Sequence, residues 1–143
     1  MSAEKNKTST RRFTDECWNK KDLSVIDELV ARGCPHHMNG PVNFKGRNGF
    51  KGALEAWFKA FPDLQVTTED EVAEGDKVAV RCKLKGTHDG ELYFPGIMPS
   101  AIAPTGKQVE MEAVFISRFA EAKFAETWSV IDYSWIQKLS QIH

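Results

Sequence analysis

The sequence has no apolar run long enough to cross a bilayer, which takes about 20 residues as a helix. Its opening residues, MSAEKNKTSTRR, contain no apolar core of the kind that marks a secretory leader. No membrane partner is expected, and a cytoplasmic location is. An excess of one charge is missing too. Lys and Arg number 19 against 20 Asp and Glu, and no basic stripe forms, so no nucleic-acid partner is expected. The three cysteines, Cys17, Cys34 and Cys82, are odd in number and lack CxxC spacing. That argues against a disulfide framework or a thiolate metal site and for free, buried thiols. His36 and His37 are neighbours that diverge in an extended segment, and Glu69, Asp70 and Glu71 diverge likewise, so no metal is expected at either.

At 143 residues the chain has the size of one domain with one core, taken as residues 1–143, with the polar residues 1–7 expected to fray. Its organising stretch is Asp76–Gly90, DKVAVRCKLKGTHDG. Val78, Val80, Cys82 and Leu84 alternate with Ala79, Arg81, Lys83 and Lys85, the period-two signature of a half-buried strand. The strand is longer than the usual ~5–6 residues and implies a curved sheet. Continued past Gly86, the alternation puts His88 on the apolar face, at the end of what reads as one wall of a pocket.

Upstream, a helical pattern from about Thr8 carries Phe13, Cys17 and Trp18 on one face. Asp22 reads as the N-cap of a second helix, with Val25, Ile26, Leu29 and Val30 as its stripe and Gly33 as its stop. Residues 34–44 hold Pro35, Gly40 and Pro41 and read as extended with turns. One histidine of His36 and His37 at most can face a pocket there, and His37 shares its parity with Asn39. A third helix lies between Gly46 and Pro62, with Phe50, Leu54, Trp57, Phe58 and Phe61 in one stripe. Downstream the chain is strand-rich. Leu64, Val66, Thr68 and Val72 alternate, and Asp70 has their parity. Residues 89–106 hold three prolines and three glycines and read as a loop that covers something apolar through Tyr93, Phe94, Ile97, Met98 and Ile102. Strands follow over about 107–119 and 123–132, then a short helix. Three helices followed by strands joined by turns give an α+β domain, a cone of three N-terminal helices packed on a curved, mostly antiparallel sheet around one apolar cavity.

WNKKDLSVIDEL, FPDLQVTTEDEVAEGDKVAVRCKLKGTHDGEL, APTGKQVE and ISRFAEAKFAETWSVID, in that order and spacing, resemble the SnoaL-like polyketide cyclases, or ester cyclases, of the nuclear transport factor 2-like superfamily. The resemblance runs from about residue 10 to 139. It implies a homodimer through the outer sheet face and an apolar pocket for a polyketide-derived ester. It also implies an intramolecular aldol closure without metal or cofactor. That chemistry needs a base for a proton beside a carbonyl and a donor for the enolate. Here Ser129 stands where the family has its catalytic Asp, and Phe115 where it has a pocket His. Thr127 stands where an imidazole often precedes the Asp, Asp132 matches a second acidic position, and MPSAIA lengthens the loop before PTGK. The catalytic candidates are therefore His88, Asp70, His37, Ser129 and Asp132, with Asn39, Trp57, Phe58, Phe61, Tyr93 and Phe115 as substrate-binding candidates. A cyclase-type enzyme on a hydrophobic carbonyl compound, another cofactor-free reaction such as hydrolysis or dehydration, and a ligand-binding or dimerisation module all remain open at this stage.

Overall fold

The structure is a computed structural model that describes residues 2–38, 43–95 and 97–140. Helix α1 (Ala3–Arg12) begins earlier than the apolar pattern indicates. Residues 3–7 are helical, and Ser2 Oγ accepts from the Lys5 N–H, which satisfies a donor that the helix end leaves open. The chain then continues as a π-helical segment, Phe13–Asn19. Phe13, Cys17 and Trp18 are four and five residues apart, a spacing that suits the wider π turn as well as one α face. Trp18 is thereby turned inward, and Asn19 reaches the sheet edge. Its side-chain N–H donates to the Val66 carbonyl at 3.0 Å, and its side-chain oxygen accepts from the Val66 N–H at 2.6 Å.

Helix α2 (Ser24–Leu29) buries Val25, Ile26 and Leu29. Asp22 accepts from the Ser24 N–H and hydroxyl ahead of it, so it orders the entry turn one residue before the cap position. The helix ends four residues before Gly33, because Val30 is already extended and bridges Phe124; Gly33 serves the following turn with φ +72°. Strands β1 (Pro35–Met38) and β2 (Asn43–Lys45) precede α3 (Gly46–Ala60), which buries Phe50, Leu54, Trp57 and Ala60 as its stripe requires.

Strands β3 (Gln65–Glu74), β4 (Lys77–Thr87), β5 (Gln108–Ala120) and β6 (Lys123–Ile131) complete a six-stranded sheet in the order β2-β1-β6-β5-β4-β3. Every neighbouring pair is antiparallel except β1 with β6. Alternation along β4 is as the sequence requires: Val78, Val80, Cys82 and Leu84 are buried, Lys85 is exposed and Lys83 half-buried. Helix α4 (Ser134–Ser140) closes one end, adding Trp135 and Leu139 to the core. The α+β cone is thus a curled, unclosed sheet with α1, the π-helical segment, α2 and α3 packed against it.

The last part of the concave side is solid. Gly86 lies so close to Phe61 that an added Cβ would sit 2.9 Å from the Phe61 Cβ. At Gly90 it would sit 1.7 Å from the Lys59 carbonyl oxygen, so only glycine lets the loop after β4 bond the end of α3, where the Gly90 N–H donates to the Ala60 carbonyl. The loop is pinned further by the Leu92–Ile102 bridge and covers the core with Phe94 and Met98, both buried.

Candidate functional site

Where β4, β5 and β6 pass under the π-helical segment and α3, the concave face is not filled. A cavity of about 90 Å³ remains, walled by Trp18, Phe50, Trp57, Val80, Phe115 and Ile131 among others. Its wall is mostly apolar. The polar exceptions are the hydroxyls of Thr10, Thr14, Ser117, Thr127 and Ser129 and one imidazole, His36. Thr10 and Thr14 donate back to the carbonyls of Asn6 and Thr10, so those two hydroxyls are committed to their own helix.

His36 reaches the cavity through register. Strand β1 runs parallel to β6 with His36 beside Thr127, His37 beside Trp128 and Met38 beside Ser129. Thr127 and Ser129 have the inward parity of β6, and His36 shares it. Its Nδ1 lies 2.5 Å from Thr127 Oγ1 and its Nε2 lies 2.9 Å from Ser129 Oγ. The ring stacks on Phe44 at 4.6 Å and meets the edge of Phe50 at 5.6 Å. Burial, reinforced by His37, pushes its pKa down to about 4, so the imidazole is neutral at physiological pH. Cys82, on the opposite wall, is a thiol that burial pushes up. Among the described cavity residues, no carboxylate is present.

The structure distributes the sequence candidates unevenly. Ser129, Trp57 and Phe115 line the cavity. His37 does not: it points to the outer face, 2.8 Å from Glu126 and stacked on Trp128 at 5.6 Å. The sequence preference for His37 over His36 fails because it took its parity from Asn39, which lies outside the described residues, rather than from β6. Asp70 is on the outer face as well, paired with Arg81 at 2.6 Å. A β-bulge between Thr68 and Asp70 shifts the register, so Thr68 opposes Cys82 but Asp70 opposes Arg81. The same shift leaves Val72 exposed and turns Glu71 inward, onto Arg11 at 2.6 Å.

His88 is fully buried on the apolar face but beyond the cavity, in the solid end of the core. Its Nδ1 lies 2.9 Å from Thr105 Oγ1, its ring lies 5.9 Å from that of Phe61, and burial lowers its pKa. It clamps the 89–106 loop. Phe61 is buried beside it, and Phe58 is half-buried over Trp18 outside the cavity. Tyr93 is exposed, and Asp132 is exposed with its carboxylate accepting from the Ser134 N–H at the start of α4.

A curled sheet closed by helices over one apolar cavity defines the class of small α+β cone proteins. The chain belongs to the SnoaL-like polyketide cyclase family, whose model matches residues 8–138. A SnoaL-like polyketide cyclase candidate from Jannaschia sp. CCS1 has a similar fold, with a TM-score of 0.86 over 99% of this chain and 95% of that one at 24% identity. AclR from Streptomyces galilaeus, described as a candidate hydroxylase, is 29% identical over 99% of this chain and all of its own, with a TM-score of 0.81. IdmH from Streptomyces antibioticus, described as a candidate polyketide cyclase, is 28% identical over 96% and 99% of the two chains, with a TM-score of 0.77. No curated protein matches the sequence.

Proposed function

We propose that the protein carries out cofactor-free acid–base chemistry on a hydrophobic carbonyl compound, of the cyclase or isomerase type, with His36 as the group that moves the proton. The observation that carries this reading is the placement of one neutral imidazole in an apolar cavity, held on both nitrogens by the hydroxyls of Thr127 and Ser129. A proton beside a carbonyl flanked by a second carbonyl is acidic enough for a weak, well-placed base, and a hydroxyl on the same wall supports the enolate oxygen. The position of the family's Asp is thus filled by a hydroxyl that holds an imidazole. A cavity of about 90 Å³ is smaller than the ~150 Å³ that takes benzene in another protein. A polycyclic substrate therefore needs the walls to part, whereas a small β-ketoester needs far less.

The test is deuterium exchange at the acidic carbon of hydrophobic β-ketoesters, together with ring closure of polyketide-type methyl esters. Loss of exchange in His36→Asn, with fold and ligand binding retained, supports the reading. A second reading, a binding module for small hydrophobic molecules, is favoured by the missing carboxylate; tight binding with no exchange in the parent protein would select it.

We also propose a homodimer through the outer sheet face. Val72, Ala79, Ile116 and Trp128 are cross-strand partners in one row over four strands, with Val114 and Val130 paired beside them. Val72 and Val130 are 66% and 60% exposed, more than a solitary chain gains from leaving apolar groups in water. Sedimentation at micromolar concentration reads the mass, and Val130→Asp should shift it to the monomer.

A further inference from the structure

The hydrogen bonds around His36 allow more than the acid–base reading uses. Cys34 Sγ lies 3.7 Å from the Pro35 carbonyl, which can only accept, so the thiol proton is spent there. Burial pushes the Cys34 thiol up to about 11, with Thr127 acting against that rise. In the tautomer that carries its proton on Nδ1, His36 donates to Thr127 Oγ1 at 2.5 Å. A neutral imidazole carries one ring proton, so Nε2 presents a lone pair, and it faces Ser129 Oγ at 2.9 Å. Ser129 must donate. A hydroxyl bonded to an imidazole whose other nitrogen is fixed by a third group is the arrangement of an activated nucleophile. Ser129 is 4% exposed and on the cavity wall, which keeps bulk water from competing for the acyl carbon.

We propose that Ser129 is a nucleophile that takes the acyl group of a small apolar ester, with His36 as its general base and Thr127 as a positioning residue. Ser129 Oγ attacks the ester carbonyl carbon and forms a new C–O bond, while its proton passes to His36 Nε2. The tetrahedral oxyanion collapses, the bond to the leaving alkoxide breaks, and the proton on Nε2 leaves with it as alcohol. Acyl-Ser129 remains. Water then attacks the acyl carbon, giving its proton to Nε2; the Ser129 oxygen departs and recovers that proton, and a carboxylic acid is released. Ser117, buried on the same wall and paired in register with Thr127, supplies a hydroxyl towards the oxyanion. The proposal rests on the site read above as acid–base but asks for a covalent step that reading does not contain.

The experiment uses the intact chain with p-nitrophenyl butyrate and an alkyl fluorophosphonate. The expected result is a p-nitrophenol burst and a mass gain of one acyl or phosphonyl group on the peptide holding Ser129. Labelling should fall at least ~100-fold in His36→Asn. It should persist in Thr127→Ser and be lost in Thr127→Val, a split that loss of packing alone would not give. Ser129→Cys, close in size, should move the adduct to a thioester cleaved by hydroxylamine, which guards against a misfolded Ser129→Ala. Because His36 is neutral above about pH 4, the labelling rate should level off by about pH 5 instead of rising through pH 7. No adduct from either reagent, an adduct only on lysine or cysteine, or an undiminished rate in His36→Asn would each overturn the proposal. Deuterium exchange into a β-ketoester by the parent protein separates the two readings: exchange without adduct removes acyl transfer alone, and adduct without exchange removes the acid–base reading alone.

Discussion

His36 and His88 invite comparison. Both are buried on the concave side, both have Nδ1 against a threonine hydroxyl, and burial pushes both below the ordinary imidazole range. His36 sits on a short strand beside a cavity, with its second nitrogen against Ser129. His88 follows the apolar alternation of β4, yet it ends in packed core, its Nε2 sealed in beside the backbone of Ile102 and Gly90 with no hydrogen-bond partner of good geometry among the described residues. The first ring borders unfilled space; the second ties a loop to the sheet. Burial and depressed pKa are common to both and so do not identify a site. Adjacency to unfilled space is what separates the two rings.

The comparison can be broken in four ways, from the largest expected effect down. Gly90→Ala strikes the solid end, where the new Cβ would lie 1.7 Å from the Lys59 oxygen. Backbone would have to move, and unfolding in urea should show a loss of about 3 kcal/mol or more. Next comes acid. For both histidines the folded pKa is depressed, so the unfolded chain binds more protons and stability falls as pH drops from about 6.5 towards 4. The shift of His36 to about 4 corresponds to roughly 3 kcal/mol. Unfolding midpoints between pH 7 and 4 should show this fall, and His36→Asn should flatten it. Third, His36→Asn should lower β-ketoester exchange at least ~100-fold, about 2.7 kcal/mol, while His88→Asn lowers stability and spares turnover. The reverse result would return catalysis to His88. Last, Asp70→Asn should change neither stability nor turnover measurably, since its pair with Arg81 is exposed. A loss of turnover there would reinstate Asp70 as the base.

The regular parts of the molecule were legible because long elements average out local exceptions. The stripe of α3 and the alternation of β4, β5 and the Thr127–Ser129–Ile131 face of β6 all follow from periods of 3.6 and 2. The cavity aromatics Trp57 and Phe115 came with them, and Ser129 came from the family resemblance. His36 was harder to read because β1 has only four residues and no apolar alternation of its own; its facing is inherited from a parallel partner some ninety residues away in the sequence. The signal that could have found it is the pair of hydroxyls, Thr127 and Ser129, two apart on an otherwise apolar strand face. Such a pair inside a core needs a partner, and a histidine is one of few side chains that can bridge both. The π-helical segment had a visible spacing that an α reading absorbed equally well.

The bulge in β3 bears on how this fold changes over generations. Strict alternation through Glu69 would set Asp70 opposite Val80, a cavity residue, in place of Glu71. One residue more or fewer in the strand decides which carboxylate looks inward, with every side chain unchanged. In this cone an insertion or deletion within a strand changes which side chains line the cavity, and two descendants differing by one codon there could hold different acids on the same wall.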